Sequence, residues 1–91
     1  MIIILLSTVL AVNFYIMKKI AALIRCHRNK SGLTQKQLAD LAGVGKTVVF
    51  DIEHGKETVQ FNSLQNVCQV LNISIKLDSP IMDQCMEEIN A

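Results

Sequence analysis

Hydrophobic and polar positions along the chain repeat in three different ways. Residues 1–17 are uncharged and mostly apolar. Between Ile20 and Leu71, apolar residues recur every three or four positions, which predicts amphipathic helices that share one core. At Ile73–Leu77, apolar and polar residues alternate, as is typical of a short, half-buried strand. The pattern therefore predicts a mainly α-helical domain followed by a single strand.

The centre of the chain, residues 34–55, has the pattern of two short helices joined by a tight turn. We expect helices at Gln35–Ala42 and Lys46–His54, with Gly43 taking the positive φ that turns the chain. Ala39 is small, as two helices that cross at short range require. This is the layout of a helix-turn-helix, whose second helix enters the DNA major groove.

Cap residues and apolar stripes predict the remaining helices. A first helix is expected over Ile20–Asn29. Thr34 and Gln37 form a capping box at the start of the second helix, and Asn62 with Gln65 repeats that signal for a fourth. The residues expected to face the core are Ile20, Leu23, Ile24, His27, Leu38, Leu41, Val44, Val49, Ile52, Leu64, Val67, Cys68 and Leu71.

The predicted strand at Ile73–Leu77 has no partner strand elsewhere in the chain outside the N-terminal segment. Pairing with its own copy in a two-fold dimer would satisfy its backbone groups and bury Ile73, Ile75 and Leu77. The alternative is an extended segment docked on its own subunit. We favour the dimer.

A final helix is predicted after the strand. Pro80 suits its first turn, with Asp78 or Ser79 as the cap. Its apolar face could pack on the domain, serve a partner, or belong to a frayed tail. The residues of that face are Ile81, Met82, Cys85, Met86 and Ile89.

Residues 1–17 allow three interpretations. A transmembrane helix would be short against the roughly 20 residues that a bilayer needs, although Lys18 and Lys19 would hold the next domain in the cytoplasm. A secretory signal would need a basic start and a small-residue cleavage site, which this segment lacks. We favour an extension that precedes a working start at Met17.

Charge is distributed unevenly along the chain. Met17–Gln60 holds eight basic and four acidic residues, a net charge of +4, whereas the residues from Phe61 onward have a net charge of −3. A basic body with an acidic tail fits an anion-binding surface and a separate partner surface.

The chain has three cysteines, and none forms a C-x-x-C pair. An odd number without paired spacing argues against a disulfide framework or a four-ligand zinc site, and reduced cytosolic thiols are the simplest interpretation. A metal cluster of Cys26, His27, His54 and Cys68 has no ligand-pair spacing to support it. We expect no metal and no cofactor.

Residues 32–56, GLTQKQLADLAGVGKTVVFDIEHGK, resemble the helix-turn-helix of Xre/Cro/C1-type phage repressors. The shared positions are Thr34, Gln35, Ala39, Gly43, Ile52, Glu53 and Gly55. The resemblance implies a lambda-repressor-like helical DNA-binding domain, here with a short C-terminal strand for dimer pairing. It divides the chain into an extension at 1–17, the DNA-binding domain at 18–72, the dimerisation strand at 73–78 and a helix or tail at 79–91.

The stretch KTVVFDIEHGKETV is similar to HipB, the DNA-binding component of HipBA and HipBST toxin–antitoxin operons. In that branch a short strand after the helical domain pairs across the dimer. The resemblance implies autorepression of the operon and association with a HipA-like or HipT-like serine/threonine kinase toxin. In the three-gene version a separate small protein neutralises the toxin, so this chain need not be the antitoxin.

Matched to the family pattern, Gln35 lies at the start of the scaffold helix, where an amide and the helix dipole can meet a phosphate. Gly45, Lys46, Thr47 and Phe50 occupy the exposed start of the recognition helix. Lys46 can donate to guanine O6/N7, and Thr47 can reach a base edge or a phosphate. Phe50 either packs on thymine methyl groups or is partly buried under the next loop.

The remaining charged residues of the motif have simpler roles. Lys36, Lys56 and Arg28 are candidate phosphate contacts, although each is equally well explained as a solvated surface residue. Asp51 would repel phosphate unless it is paired with a base. Glu53 is expected to brace the domain through a charge pair with Arg25 or Arg28.

The sequence therefore predicts a cytoplasmic, homodimeric repressor that binds a palindromic operator, and not an enzyme. Two alternatives remain open. One is an interaction module that holds a kinase toxin through the acidic C-terminal part, and the other is a membrane-tethered regulator. Gly43-Val44-Gly45-Lys46 is too short for a phosphate loop.

Overall fold

A computed structural model describes the backbone of residues 2–91 and the side chains from residue 11 onward. Its α-helices are α1 at Ile2–Lys30, α2 at Gln35–Ala42, α3 at Lys46–Glu53, α4 at Phe61–Val70 and α5 at Met82–Asn90. Helix α2 packs on α3 and α4, and α1 packs on α3. The mainly helical architecture is as predicted.

The core lies where the first four helices meet. Its buried members are Ile24, Leu38, Ala39, Val49, Ile52, Val67, Cys68 and Leu71. Ala39 lies at the α2 crossing and is 1% exposed, so the small residue was predicted for the right reason. Burial also raises the pKa of the Cys68 thiol above its ordinary value, because the thiolate would lose its hydration. Cys68 is a core residue, as predicted.

Two apolar stripes were predicted with the wrong rotation. In α1 the buried residues are Ala21 and Ile24, while Leu23 is 47% exposed and His27 is exposed. In α2 the inward stripe runs through Leu38 and Ala39, so that Leu41 falls on the flank and is 64% exposed. The spacing of leucines along a helix does not by itself determine which side of the apolar stripe faces the core.

The predicted capping box at the start of α2 is present. The Thr34 hydroxyl accepts from the Gln37 amide at 3.1 Å, and the Gln37 side-chain oxygen accepts from the Thr34 amide at 2.9 Å. Gly43 ends α2 at φ +69°, in the left-handed region where a side chain is strained. The chain therefore leaves α2 and enters α3 in the tight turn that the sequence predicted.

The predicted cap of α4 was wrong. The helix begins at Phe61, its N-cap is Gln60, and no side chain caps it. The Asn62 side-chain oxygen instead accepts from the Ser63 amide at 2.9 Å. Asn62 lies inside the first turn of α4, so the spacing of Asn62 and Gln65 does not form a capping box.

Helix α1 begins well before the predicted start at Ile20. Side chains at 11–16 are exposed, and the helix approaches the turn after α3, where the Gly55 backbone lies next to Met17. Within the described residues, no helix is long and apolar enough to cross a bilayer. The interpretations of residues 1–17 depend largely on side chains 1–10, which lie outside the described part.

The chain after α4 has little contact with the core. The Ile73 amide donates to the Cys68 carbonyl at 2.8 Å, and residues 73–79 have no regular secondary structure in the single chain. Pairing of Ile73–Leu77 across a dimer remains a prediction. The predicted start of the last helix was wrong: Pro80 precedes α5, and Ile81, not Asp78 or Ser79, is the N-cap.

Candidate nucleic-acid interface

A buried ion pair fixes helix α3, the predicted recognition helix, against α1. Arg28 Nε donates to Glu53 Oε2 at 2.8 Å and Arg28 Nη2 donates to Oε1 at 2.9 Å. Glu53 is 3% exposed. Arg25 Nη2 also donates to the Glu53 carbonyl at 3.2 Å. The pair fixes the end of α3 against α1, and the predicted bracing role of Glu53 is confirmed.

Arg28 was also a candidate phosphate contact, and the structure argues against that role. Its guanidinium group uses two nitrogens on Glu53, and a third, Nη1, donates to the Leu33 carbonyl at 2.9 Å. The side chain is 14% exposed. An arginine committed in this way stabilises the fold and has little of its donor surface left for DNA.

Helix α3 has an open face at its N-terminal end, away from the Arg28–Glu53 pair at its C-terminal end. Gly45 is the N-cap in extended conformation, and no side chain caps the helix. Lys46 and Thr47 follow and are exposed, whereas Val49 is fully buried. The first amides of a helix have no partner within the helix and carry partial positive charge. This end of α3 thus combines a lysine, a hydroxyl and free backbone donors.

Phe50 lies one turn further along the same open face and is 48% exposed. Its ring stacks on His54, with ring centroids 3.8 Å apart and an interplanar angle of 24°. His54 Nδ1 lies 2.7 Å from the Phe50 carbonyl oxygen. Packing of the ring on thymine methyl groups and its partial burial under the next loop both remain predictions. His54 was not among the predicted site residues, although its spacing of four residues from Phe50 along the helix could have suggested the pair.

The two lysines that were predicted to contact phosphates lie at the surface beside carboxylates. Lys56 Nζ is 3.3 Å from Asp51 Oδ2, and the lysine side chain is 54% exposed. Lys36 Nζ is 3.4 Å from Asp40 Oδ2, with both side chains largely exposed. Exposed pairs of this kind contribute about 0–1 kcal/mol. Each lysine can therefore exchange its carboxylate for a phosphate at small cost.

The remaining predicted site residues lie in two places. Gln35 is the first residue of α2 and is half-buried. Ile73 is half-buried, Ile75 is 43% exposed and Leu77 is 84% exposed, so the predicted dimerisation residues present apolar surface in the single chain. Within the described side chains, no three His, Cys, Asp or Glu residues lie close enough together to hold a metal ion.

The scaffold helix α2, the glycine turn and the open face of α3 together define a helix-turn-helix domain. A family model described as HTH_3, Helix-turn-helix, matches residues 24–77, more than half of the chain. The chain belongs to this helix-turn-helix family.

Two relatives are similar over most of the chain. The uncharacterized HTH-type transcriptional regulator y4mF of Sinorhizobium fredii is 41% identical over 61 residues, which cover 67% of this chain and 80% of that protein. The ImmF control region 10 kDa protein of Bacillus phage phi105 is 28% identical over 71 residues, which cover 78% of this chain and 79% of that protein. Both matched proteins are small and of a length similar to that of this chain.

Proposed function

We propose that this protein is a sequence-specific DNA-binding transcriptional repressor that acts as a homodimer. The observation that carries the proposal is the construction of α3. Its C-terminal end is fixed to α1 by the buried Arg28–Glu53 pair, and its N-terminal end is open and carries Lys46 and Thr47. A rigid helix with one exposed polar end is what major-groove recognition requires.

Base recognition is assigned to the start of α3. Lys46 donates to guanine O6/N7 in the major groove, and Thr47 contacts a base edge or a phosphate. Gly45 lets the backbone approach the DNA closely. The exposed edge of the Phe50 ring packs on thymine methyl groups, with His54 stacked behind it.

Phosphate contacts place the domain on the duplex. Gln35 meets one phosphate at the start of α2, where the helix dipole favours an anion. Lys36 exchanges its exposed partner Asp40 for a phosphate, and Lys56 does the same with its half-buried partner Asp51. Asp51 stays near Lys56 and lowers the local positive charge, which restrains binding to DNA of arbitrary sequence.

The dimer is assigned to Ile73–Leu77. Its backbone donors and acceptors have no strand partner within the described chain, and Ile75 and Leu77 expose apolar surface. Antiparallel pairing of two copies would satisfy the backbone and bury those side chains. Two α3 helices would then enter successive major grooves about 34 Å apart, which calls for a palindromic operator.

The resemblance of the motif to HipB supports a finer assignment. We infer that the protein represses a toxin–antitoxin operon that includes its own gene, with a HipA-like or HipT-like kinase as the toxin. The similarity to y4mF and to the ImmF control region protein, both small proteins of comparable length, is compatible with this assignment. A test is co-expression with a kinase from the same operon, followed by purification of the complex.

In vitro selection of binding sites tests the proposed function. The full-length protein is incubated with a random-sequence duplex library, and bound DNA is amplified and sequenced over several rounds. We expect an enriched inverted repeat with half-sites one helical turn apart. Enrichment of no sequence, or of a single unrepeated half-site, would contradict the dimeric repressor. Recovery of the repeat upstream of the protein's own gene would support autorepression.

A further inference from the structure

Helix α5 carries an apolar stripe that is largely uncovered in the described part of the single chain. Met82, Cys85, Met86 and Ile89 fall on one face at spacings of three and four residues, and none of the α5 residues is buried. Met86 is 44% exposed and Ile89 is 73% exposed. A helix of nine residues without tertiary packing is marginal in water. Its stability therefore requires a surface that accepts the stripe.

Such a surface lies between α1, α4 and the segment that follows α4. It is an apolar groove of about 410 Å³. On its rim Leu23 is 47% exposed and Phe61 is 60% exposed. The residues that line it include Leu23, Phe61, Leu64, Cys68, Ile73 and Ile75. The groove and the α5 stripe are thus two apolar surfaces on one chain, and each lacks a partner.

Charge favours contact between the two surfaces. Helix α5 contains Asp83, Glu87 and Glu88 and no basic residue, whereas the Ile2–Lys30 segment of α1 contains no acidic residue. Lys19 lies one turn before Leu23 on α1, and Lys76 lines the groove itself. An acidic amphipathic helix in this groove would therefore meet bases at the groove edge.

Residues 78–81, which connect the groove to α5, indicate whether α5 reaches the groove of its own chain or that of a second copy. In a two-fold antiparallel pair of Ile73–Leu77 strands, Leu77 of one copy lies beside Ile73 of the other. Each chain thus leaves the pair at the edge of the partner's groove, since Ile73 and Ile75 form part of the groove wall. Residues 78–81 then need to span only a short distance.

We propose that α5 of each copy docks its apolar stripe in the groove of the second copy, so that the dimer is closed by reciprocal helix exchange. This inference rests on the proposed pairing of Ile73–Leu77. The exchanged helices cover Leu23 and Phe61, and they add a second apolar contact to a strand pair that is only five residues long. Dimer formation and folding of α5 are thereby coupled.

Cross-linking between two distinguishable full-length chains tests the exchange. Both chains carry Cys26→Ser, because Cys26 is exposed and would react on its own. One chain adds Leu23→Cys and Cys85→Ser, so that its one exposed thiol lies on the groove, because the remaining Cys68 is buried. The other is affinity-tagged and retains Cys85 on α5. After mixing, a short bismaleimide is expected to give a covalent heterodimer, and mass spectrometry is expected to locate the link at positions 23 and 85.

A matched control replaces Leu23→Cys with Ala22→Cys. Ala22 is exposed on the same turn of α1 but does not line the groove, so its thiol should give only background cross-linking. Dimers without the heterodimer link would overturn the exchange. A Cys85–Cys85 link as the main product would also overturn it. So would an internally linked monomer, obtained from a further chain that carries Leu23→Cys and retains Cys85. A native chain that sediments as a monomer would instead contradict the proposed dimer.

A substitution pair gives an independent readout. Met86→Asp places a carboxylate in the apolar contact and is expected to raise the dimer dissociation constant at least about tenfold, measured by sedimentation equilibrium. Gln84→Asp adds the same charge to the opposite face of α5, and we expect a change within about twofold. Equal effects of the two substitutions would refute docking of the stripe.

Discussion

The two faces of α3 hold acidic side chains in opposite environments. On the inner face, Glu53 is 3% exposed and receives two donors from Arg28 at 2.8 and 2.9 Å. On the outer face, Asp51 lies 3.3 Å from Lys56, whose side chain is 54% exposed. A helix of eight residues thus has one face committed to the fold and one face free to exchange partners.

The difference shows which charges of the motif can serve recognition. A buried pair has lost its hydration, so that removal of one partner leaves the other charge uncompensated. An exposed pair keeps much of its hydration and is screened by salt. DNA can therefore displace Asp51 from Lys56, whereas displacement of Glu53 from Arg28 would disrupt the domain. The inner face positions α3, and we propose that the outer face reads DNA.

The largest expected effect comes from breaking the inner pair. Arg28→Ala leaves the buried Glu53 carboxylate without its partner and should lower the free energy of unfolding by about 3–5 kcal/mol. Urea denaturation followed by circular dichroism measures the change. Lys56→Ala, which removes the ion pair with Asp51 on the outer face, is the control and should cost about 1 kcal/mol or less. Similar losses for the two variants would remove the distinction between the faces.

The next largest effect is expected from weakening the dimer, which would hold two copies of α3 at a fixed spacing. Ile75→Asp would place a carboxylate at the proposed strand pair and should weaken the dimer by roughly 2 kcal/mol or more. Operator affinity should fall with it, because a single α3 contacts only one half-site. Sedimentation velocity and a gel-shift titration measure the two quantities. An intact dimer would count against pairing at Ile73–Leu77.

A smaller effect is expected from the exposed N-terminal end of α3. Lys46→Ala removes the donor assigned to a base edge and should weaken operator binding by about 1–3 kcal/mol, with relaxed preference at one base pair. The fold should keep its stability, because Lys46 is exposed. Fluorescence anisotropy with the selected operator and single-base variants measures both changes. Unchanged affinity and unchanged base preference would exclude Lys46 from recognition.

The smallest effect tests the exchange of partners on the outer face. Asp51→Asn frees Lys56 and removes a negative charge that faces DNA, so binding to DNA of arbitrary sequence should strengthen by about 0.5 kcal/mol. The salt dependence of that binding should become slightly steeper. Anisotropy titrations at several salt concentrations provide the measurement. Weaker binding by the variant would mean that Asp51 helps recognition, for example by accepting from cytosine.

Much of the helix-turn-helix was predictable because local signals and packing agree there. The capping box was predictable because Thr34 and Gln37 are only three residues apart. Gly43 was predictable because the positive φ of the turn favours glycine. Ala39 was predictable because a close helix crossing excludes larger side chains. Glu53 was predicted as a brace from its charge and position. Its partner could be chosen between Arg25 and Arg28 only when α1 and α3 were placed together.

The errors have a common physical origin. Leu23 and Leu41 were assigned to the core by spacing, yet the rotation of a helix depends on the other helices that it meets. The spacing of four residues makes a contact between Phe50 and His54 possible, but whether their rings stack depends on side-chain rotamers. The starts of α4 and α5 were missed because neither has a side-chain cap. For the DNA contacts, the structure gives exposure and neighbours, and the contacts themselves remain predictions.

Nuclear magnetic resonance of the ¹⁵N-labelled protein, titrated with the selected operator duplex, tests the central claim most directly. If the outer face of α3 reads DNA, the largest amide shifts will lie at residues 45–50 and at the start of α2 near Gln35. The Arg28 guanidinium signal should change little, because its pair with Glu53 stays buried. Largest shifts in α4 or α5, or a large change at the Arg28 guanidinium, would contradict the assignment of the two faces.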